Sequence, residues 1–153
     1  MPLISANNIT LCYEEYGGKE APVLLLIMGY GAQLIYWPPA FVQHLVAAGF
    51  RVIIYDNRDI GLSHKFDDVR APHPIWQMLV KKLRPRRKLA PYNLQNMAGD
   101  AIGLLDALAI DKAHVLGVSM GGMIGQIVAA DHADRVLSFT AVMTSTNAPG
   151  LPG

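Results

Sequence analysis

Four short apolar runs do most to limit what this chain folds into: Val23–Ile27 (VLLLI), Arg51–Tyr55 (RVIIY), His114–Val118 (HVLGV) and Val136–Met143 (VLSFTAVM). The first has no polar residue and stops abruptly at Met28-Gly29-Tyr30-Gly31. A strand with one face in water alternates apolar and polar residues. A continuous run bounded by turn residues suits a strand covered on both faces. Helical spacing lies between the runs. Phe41–Ala48 reads as a helix stopped by Gly49. Asn93 reads as the cap of a helix over Leu94–Leu108, where Leu94, Met97, Ala101, Leu104, Leu105 and Leu108 share one face. Met120–Ala130 reads as a further helix. This alternation predicts an α/β fold, a mainly parallel sheet with helices packed on it. Leu3–Ala6 and Ile9–Tyr16 predict an antiparallel first hairpin around Asn7-Asn8, because Asn tolerates the left-handed backbone of tight turns. Cys12 falls within that hairpin as an ordinary strand residue.

Charge narrows the function. The net charge of +1 argues against a general nucleic-acid role. Six of the thirteen basic residues lie between Lys81 and Lys88, leaving seven against twelve acids elsewhere. That cluster reads as a solvated surface segment, with an anionic-surface contact or a gate near the site mouth as alternatives. Ala21–Phe50 and Ala113–Ala130 contain no Lys, Arg, Asp or Glu, yet both are interrupted by Gly and Gln, whereas a membrane span needs about 20 predominantly apolar residues. No membrane span is expected. The single cysteine excludes an intrachain disulfide framework and a Cys-based metal cluster, and it fits a reducing, cytoplasmic setting. The start, Met1-Pro2-Leu3-Ile4-Ser5, lacks a basic segment ahead of a long apolar one, so no signal peptide is expected. No spacing suggests a metal site or a phosphate-cradling loop.

The sharpest chemical signal is Gly117-Val118-Ser119-Met120-Gly121-Gly122, a G-x-S-x-G pattern between an apolar strand and a helix. A nucleophile at so tight a turn is thrust above the sheet, where a substrate reaches it. Bulky neighbours would collide there, which explains Gly117 and Gly121, and Gly122 lets the helix start close to the strand. The helix N-terminus aims free N–H groups at the same place and would stabilise a developing oxyanion. Met28-Gly29-Tyr30-Gly31 is a second loop able to bring a backbone N–H close to the serine.

Together these segments resemble the N-terminal half of an α/β-hydrolase-fold protein, over nearly the whole chain. LLLIMGYG resembles the oxyanion loop after the third strand, YDNRDIGLS the loop after the fourth, and GVSMGG the nucleophile elbow after the fifth. TSTNAPGLPG is similar to the start of the cap region. The combination resembles the esterase branch that includes aclacinomycin methylesterase-like proteins. The resemblance implies that Ser119 is the nucleophile and that the backbone N–H groups of Tyr30 and Met120 form the oxyanion hole. It implies a small-molecule ester as substrate and no cofactor. Asp56 and Arg58 are expected to tie their loop down by an ion pair. Met28 departs from the family, where His is frequent.

The expected chain order is Ser, then acid, then His. After Ser119 the carboxylates are Asp131 and Asp134, with His132 between them, all at or beyond the helix end. The position after the sixth strand, where some relatives carry the acid, reads Thr144-Ser145-Thr146-Asn147. Upstream, His114 lies at the wrong end of the nucleophile strand, His44 lies in a helix, and His64 and His73 lie in loops. Val136–Met143 would also be an exposed, mostly apolar edge. Residues 1–153 are therefore expected to be the N-terminal part of a single α/β-hydrolase domain, ending where the cap region begins, with C-terminal strands and cap absent. The chain alone is expected to be inactive. His and acid would come from a second polypeptide or a missing C-terminal half; a third option is a homodimer that borrows His64 or His73 across its interface. The alternative from another class is a non-catalytic binding or scaffold protein built on a degenerate hydrolase half.

Overall fold

The computed structural model describes residues 1–66 and 91–146. Its strands are β1 (Leu3–Ala6), β2 (Ile9–Tyr16), β3 (Val23–Ile27), β4 (Arg51–Tyr55), β5 (Ala113–Val118) and β6 (Val136–Val142). Its helices are α1 (Pro39–Ala47), α2 (Leu94–Ala107) and α3 (Met120–Asp131), with short 3₁₀ turns at Leu34–Tyr36 and Ala133–Arg135. His73, the basic cluster Lys81–Lys88 and the segment from Asn147 onward lie outside the described residues.

One sheet runs in the order β1-β2-β4-β3-β5-β6. The hairpin β1–β2 and the pair β2–β4 are antiparallel, while β4, β3, β5 and β6 run parallel. Asn7 and Asn8 make the expected tight hairpin, at φ 48° and 63°. The apolar runs are continuous because alternate residues feed opposite cores. Leu25, Ile27, Ile53 and Val115 pack with α2 and α3 residues such as Ala101, Leu105 and Ile124. Leu24, Leu26, Val52 and Ile54 pack with Trp37 and Val42 on the α1 side. All ten residues of β3 and β4 are buried. By contrast β6 has half-buried and exposed residues along its length, and among the described residues it pairs with β5 alone.

Helix boundaries obey local chemistry. A reciprocal capping box between Asn93 and Asn96 starts α2. The first helix starts at Pro39, earlier than Phe41, because proline suits a first helical position where no N–H bond is needed. Cys12 is buried in β2, and burial, reinforced by the Asp56 carboxylate, pushes its thiol up.

The loop after β4 corrects one expectation. Asp56 and Arg58 do not pair with each other. The Asp56 carboxylate accepts the Leu34 N–H at 2.7 Å and the Leu62 N–H at 3.1 Å. Arg58 reaches instead to Asp100 on α2, with Nε and Nη2 each 2.6 Å from a carboxylate oxygen. Its guanidinium lies 4.9 Å from the Tyr92 ring centroid and 5.4 Å from that of Phe66. The reason is the path of α2, which carries Asp100 over the loop, where Asn7 Nδ2 also donates to it at 2.8 Å.

These buried groups make stability testable at two positions. Asp100 is 1% exposed and Arg58 6%. Removing one partner of a buried pair strands the other, so Asp100→Asn should cost about 3 kcal/mol in urea unfolding. The Tyr55 hydroxyl is buried without a hydrogen-bond partner among the described residues. Burial, then the Asp100 charge, raises its phenol above the usual value near 10. A raised folded-state pKa gives stability that is whole below about pH 10 and lost as pH rises further. Tyr55→Phe should therefore match or exceed the parent by up to about 1 kcal/mol at neutral pH. It should also lose less stability than the parent between about pH 10 and 12 when both are unfolded in urea.

Candidate active site

The chain passes from β5 to α3 through one residue, Ser119, at φ 55° and ψ −120°. A non-glycine residue held there is strained by about 1–3 kcal/mol and persists only where its surroundings enforce it. Serine at a helix N-cap normally has extended backbone and spends its oxygen on the first-turn amides. Here the backbone is rotated away and Oγ makes no cap bond. The residue is exposed, and among the described residues no group hydrogen-bonds its hydroxyl.

The neighbouring glycines make this corner feasible. A Cβ on Gly117 would lie 2.2 Å from the Gly121 carbonyl oxygen, and one on Gly121 would lie 2.1 Å from the Ile27 carbonyl oxygen. The first turn of α3 thus rests directly on the ends of β5 and β3. Gly122 is glycine for a reason invisible in the sequence: a Cβ there would lie 2.6 Å from the Thr144 side chain. The backbone of Ser119 is held on both sides. Its N–H donates to the Val142 carbonyl at 3.0 Å. Its carbonyl accepts from the Gly122 N–H at 2.9 Å, the Met123 N–H at 3.3 Å and the Thr144 hydroxyl at 2.7 Å.

The loop after β3 comes to the same place. A Cβ on Gly29 would sit 3.3 Å from Ser119 Cβ and 3.8 Å from its Oγ. Asn57 Nδ2 donates to the Met28 carbonyl at 3.1 Å, and Asp56 holds the Leu34 amide, so the loop after β4 pins the loop after β3 at both ends. Tyr30 is 85% exposed. Among the described residues the amides of Tyr30 and Met120 have no backbone acceptor. Nearby, burial and then a hydrogen bond to Asp59 push the Tyr92 phenol up, and Tyr30 lies within electrostatic reach of it.

The structure brings together Ser119, Met120, the three elbow glycines and the loop bearing Tyr30. It brings no histidine or carboxylate to the serine among the described residues. The ring of His114 hydrogen-bonds Ser138 at 2.7 Å, and that of His64 packs edge-on against Phe66 at 4.7 Å. His44 lies in α1, and Asp131, His132 and Asp134 lie at the far end of α3 and in the turn after it. A cavity of about 500 Å³ between α1, β2 and β4, lined by Glu14, Leu34, Trp37, Val42 and Ile54 among others, does not include Ser119. No group of three or more metal-ligating side chains occurs among the described residues. None of the described helices is long and apolar enough to cross a membrane. Sequence reasoning missed Asp100 and Thr144. In the sequence Asp100 is one polar residue in an amphipathic helix, and Thr144 stands out only as a position without a carboxylate.

A family model described as the alpha/beta hydrolase fold matches residues 22–152. The chain belongs to this family. It is 36% identical over 141 residues to a rhodomycin D methylesterase of Streptomyces sp. (strain C5), covering 92% of this chain and 41% of the relative. It is 32% identical over 132 residues to a putative carbamate hydrolase of Variovorax paradoxus (strain S110), covering 86% and 41%. In three dimensions it is similar to an enol-lactonase from Burkholderia xenovorans LB400, with a TM-score of 0.69 and 31% identity, covering 90% of this chain and 45% of that one. The chain thus spans less than half the length of these relatives. The six strands and three helices among the described residues make up part of an α/β-hydrolase fold, as the sequence led us to expect.

The tight approach at the elbow is testable through stability. Gly121→Ala should cost about 2 kcal/mol, the range for overpacking a filled site. Gly18→Ala, where a Cβ meets nothing within 4 Å, should be near neutral. Urea unfolding of both variants measures the contrast.

Proposed function

We propose that the protein is a serine hydrolase acting on carboxylic esters, with Ser119 as its nucleophile. One observation carries this reading: an exposed serine hydroxyl, left uncapped at a strained strand-to-helix corner, beside a loop held within van der Waals distance. The names of the relatives speak of a methyl ester, a carbamate and an enol-lactone, each with a carbonyl carbon bearing a leaving group.

Ser119 Oγ attacks the ester carbonyl while a histidine takes its proton. The carbonyl oxygen becomes an oxyanion, bound by the N–H groups of Tyr30 and Met120. The histidine then protonates the departing alkoxide, and water, activated by the same histidine, hydrolyses the acyl-serine. Histidine and orienting acid come from outside this segment, either a C-terminal half or a second polypeptide, so the chain alone is inactive. The oxyanion donors are main-chain groups, so Met28 in place of the family's frequent His leaves them intact. On this reading residues 1–153 are the N-terminal part of one α/β-hydrolase domain, ending where the cap region begins, and the reaction uses no cofactor. The single buried cysteine supports a reducing, cytoplasmic setting.

The absence of a described histidine or carboxylate at Ser119 supports a second reading, a non-catalytic scaffold on a hydrolase half. Labelling of the full chain with a fluorophosphonate separates the two. The serine reading predicts a slow covalent adduct on Ser119, lost in Ser119→Ala, with p-nitrophenyl acetate hydrolysed at the buffer rate. An adduct that persists in Ser119→Ala, or none at any residue, contradicts it, and the latter favours the scaffold. Sustained turnover by the chain alone contradicts an external histidine.

A further inference from the structure

We infer that Thr144, just beyond β6, is a positioning residue for the nucleophile: its hydroxyl holds the Ser119 carbonyl and so fixes the angle at which the serine side chain leaves the elbow. This rests on the reading of Ser119 as nucleophile and adds a second element, the end of β6, to the machinery that orients it.

The strained backbone of Ser119 needs restraint on its carbonyl side, because rotation about ψ relaxes the corner and swings the side chain toward the cap position that N-terminal serines prefer. The two amides on that carbonyl, from Gly122 and Met123, belong to α3 and would turn with it. The Thr144 hydroxyl, at 2.7 Å, is the side-chain donor from a different element and ties the corner to the sheet. Three features place it there. Met143 adopts φ 47°, bending the chain back as β6 ends. Gln126 Nε2 donates to the Ser145 carbonyl at 3.1 Å, holding the same segment against α3. Gly122 leaves open the space that Thr144 fills: the Thr144 Cβ, Oγ1 and Cγ2 all lie 2.6–2.7 Å from where a Cβ would stand. The third glycine of the elbow, Gly122, and the threonine 22 positions later therefore form one fitted pair. The Ser119 N–H bond to Val142 lies immediately upstream, so both peptide groups of the nucleophile are anchored to β6 and the residues just beyond its end.

The test compares Thr144→Val, which keeps the shape without the donor, Thr144→Ala, which removes both, and Thr144→Ser, which keeps the donor. Each is labelled with a fluorophosphonate at equal folded fraction, and the ¹³C shifts of the Ser119 carbonyl and Cα are recorded on the full chain. The expected result is labelling about tenfold slower in Val and Ala, the ~1.4 kcal/mol of one net hydrogen bond, with Ser within about twofold of the parent. The Ser119 shifts should move in Val and Ala and stay in Ser. Parent-like labelling in Val and Ala, or a loss in Ser equal to that in Ala, overturns the inference. If the parent itself does not label, the nucleophile reading fails, and the shifts still decide this one: a Ser119 carbonyl unmoved in Thr144→Val overturns it.

Discussion

The arrangement depends on how closely one helix approaches the sheet that leads into it. With Ser119 as the sole link, α3 begins where β5 ends, and its first turn presses on the carbonyl ends of β5 and β3. Contact that close leaves no room for side chains at Gly117 and Gly121, and no regular backbone path through Ser119. The strain is the consequence of the contact. The same contact turns the hydroxyl away from the helix cap and leaves the first amide of α3 unspent.

Everything else at the site braces that corner. The loop after β4 is polar because its side chains act as struts. Asp56 and Asn57 hold two points of the loop after β3, and Arg58 fastens its own loop to α2 through Asp100. Asn7, at the tip of the first hairpin, joins the same buried carboxylate. Elements distant in sequence thus converge on fixing a few backbone amides beside one hydroxyl. That suits chemistry in which main-chain dipoles must be in place before charge develops.

The features legible in the sequence were those that local patterning determines. VLLLI and RVIIY announced buried strands because both faces are covered, Asn7-Asn8 announced a hairpin, and the G-x-S-x-G run announced its own corner, since the conflict between Gly117 and Gly121 lies within five residues. The identity of the struts was not legible. Asp56 and Arg58 are near neighbours in sequence, so pairing them was the natural expectation, yet the partner that reaches Arg58 is 42 positions away and arrives only because α2 crosses the loop. Thr144 was equally hidden: a hydroxyl after an apolar strand carries no pattern until the sheet places it beside the elbow. Among the described residues no histidine or carboxylate stands at Ser119, and β6 is paired on one side only.

NMR on the full chain reads the backbone of Ser119 directly. A positive φ brings a residue's amide proton close to its own Hα. The expected result is a strong intraresidue amide–Hα cross-peak at Ser119, unlike Val118 and Met120, together with rapid exchange of the Met120 amide. A weak cross-peak at Ser119 with protected first-turn amides, the pattern of an ordinary capping serine, would contradict it.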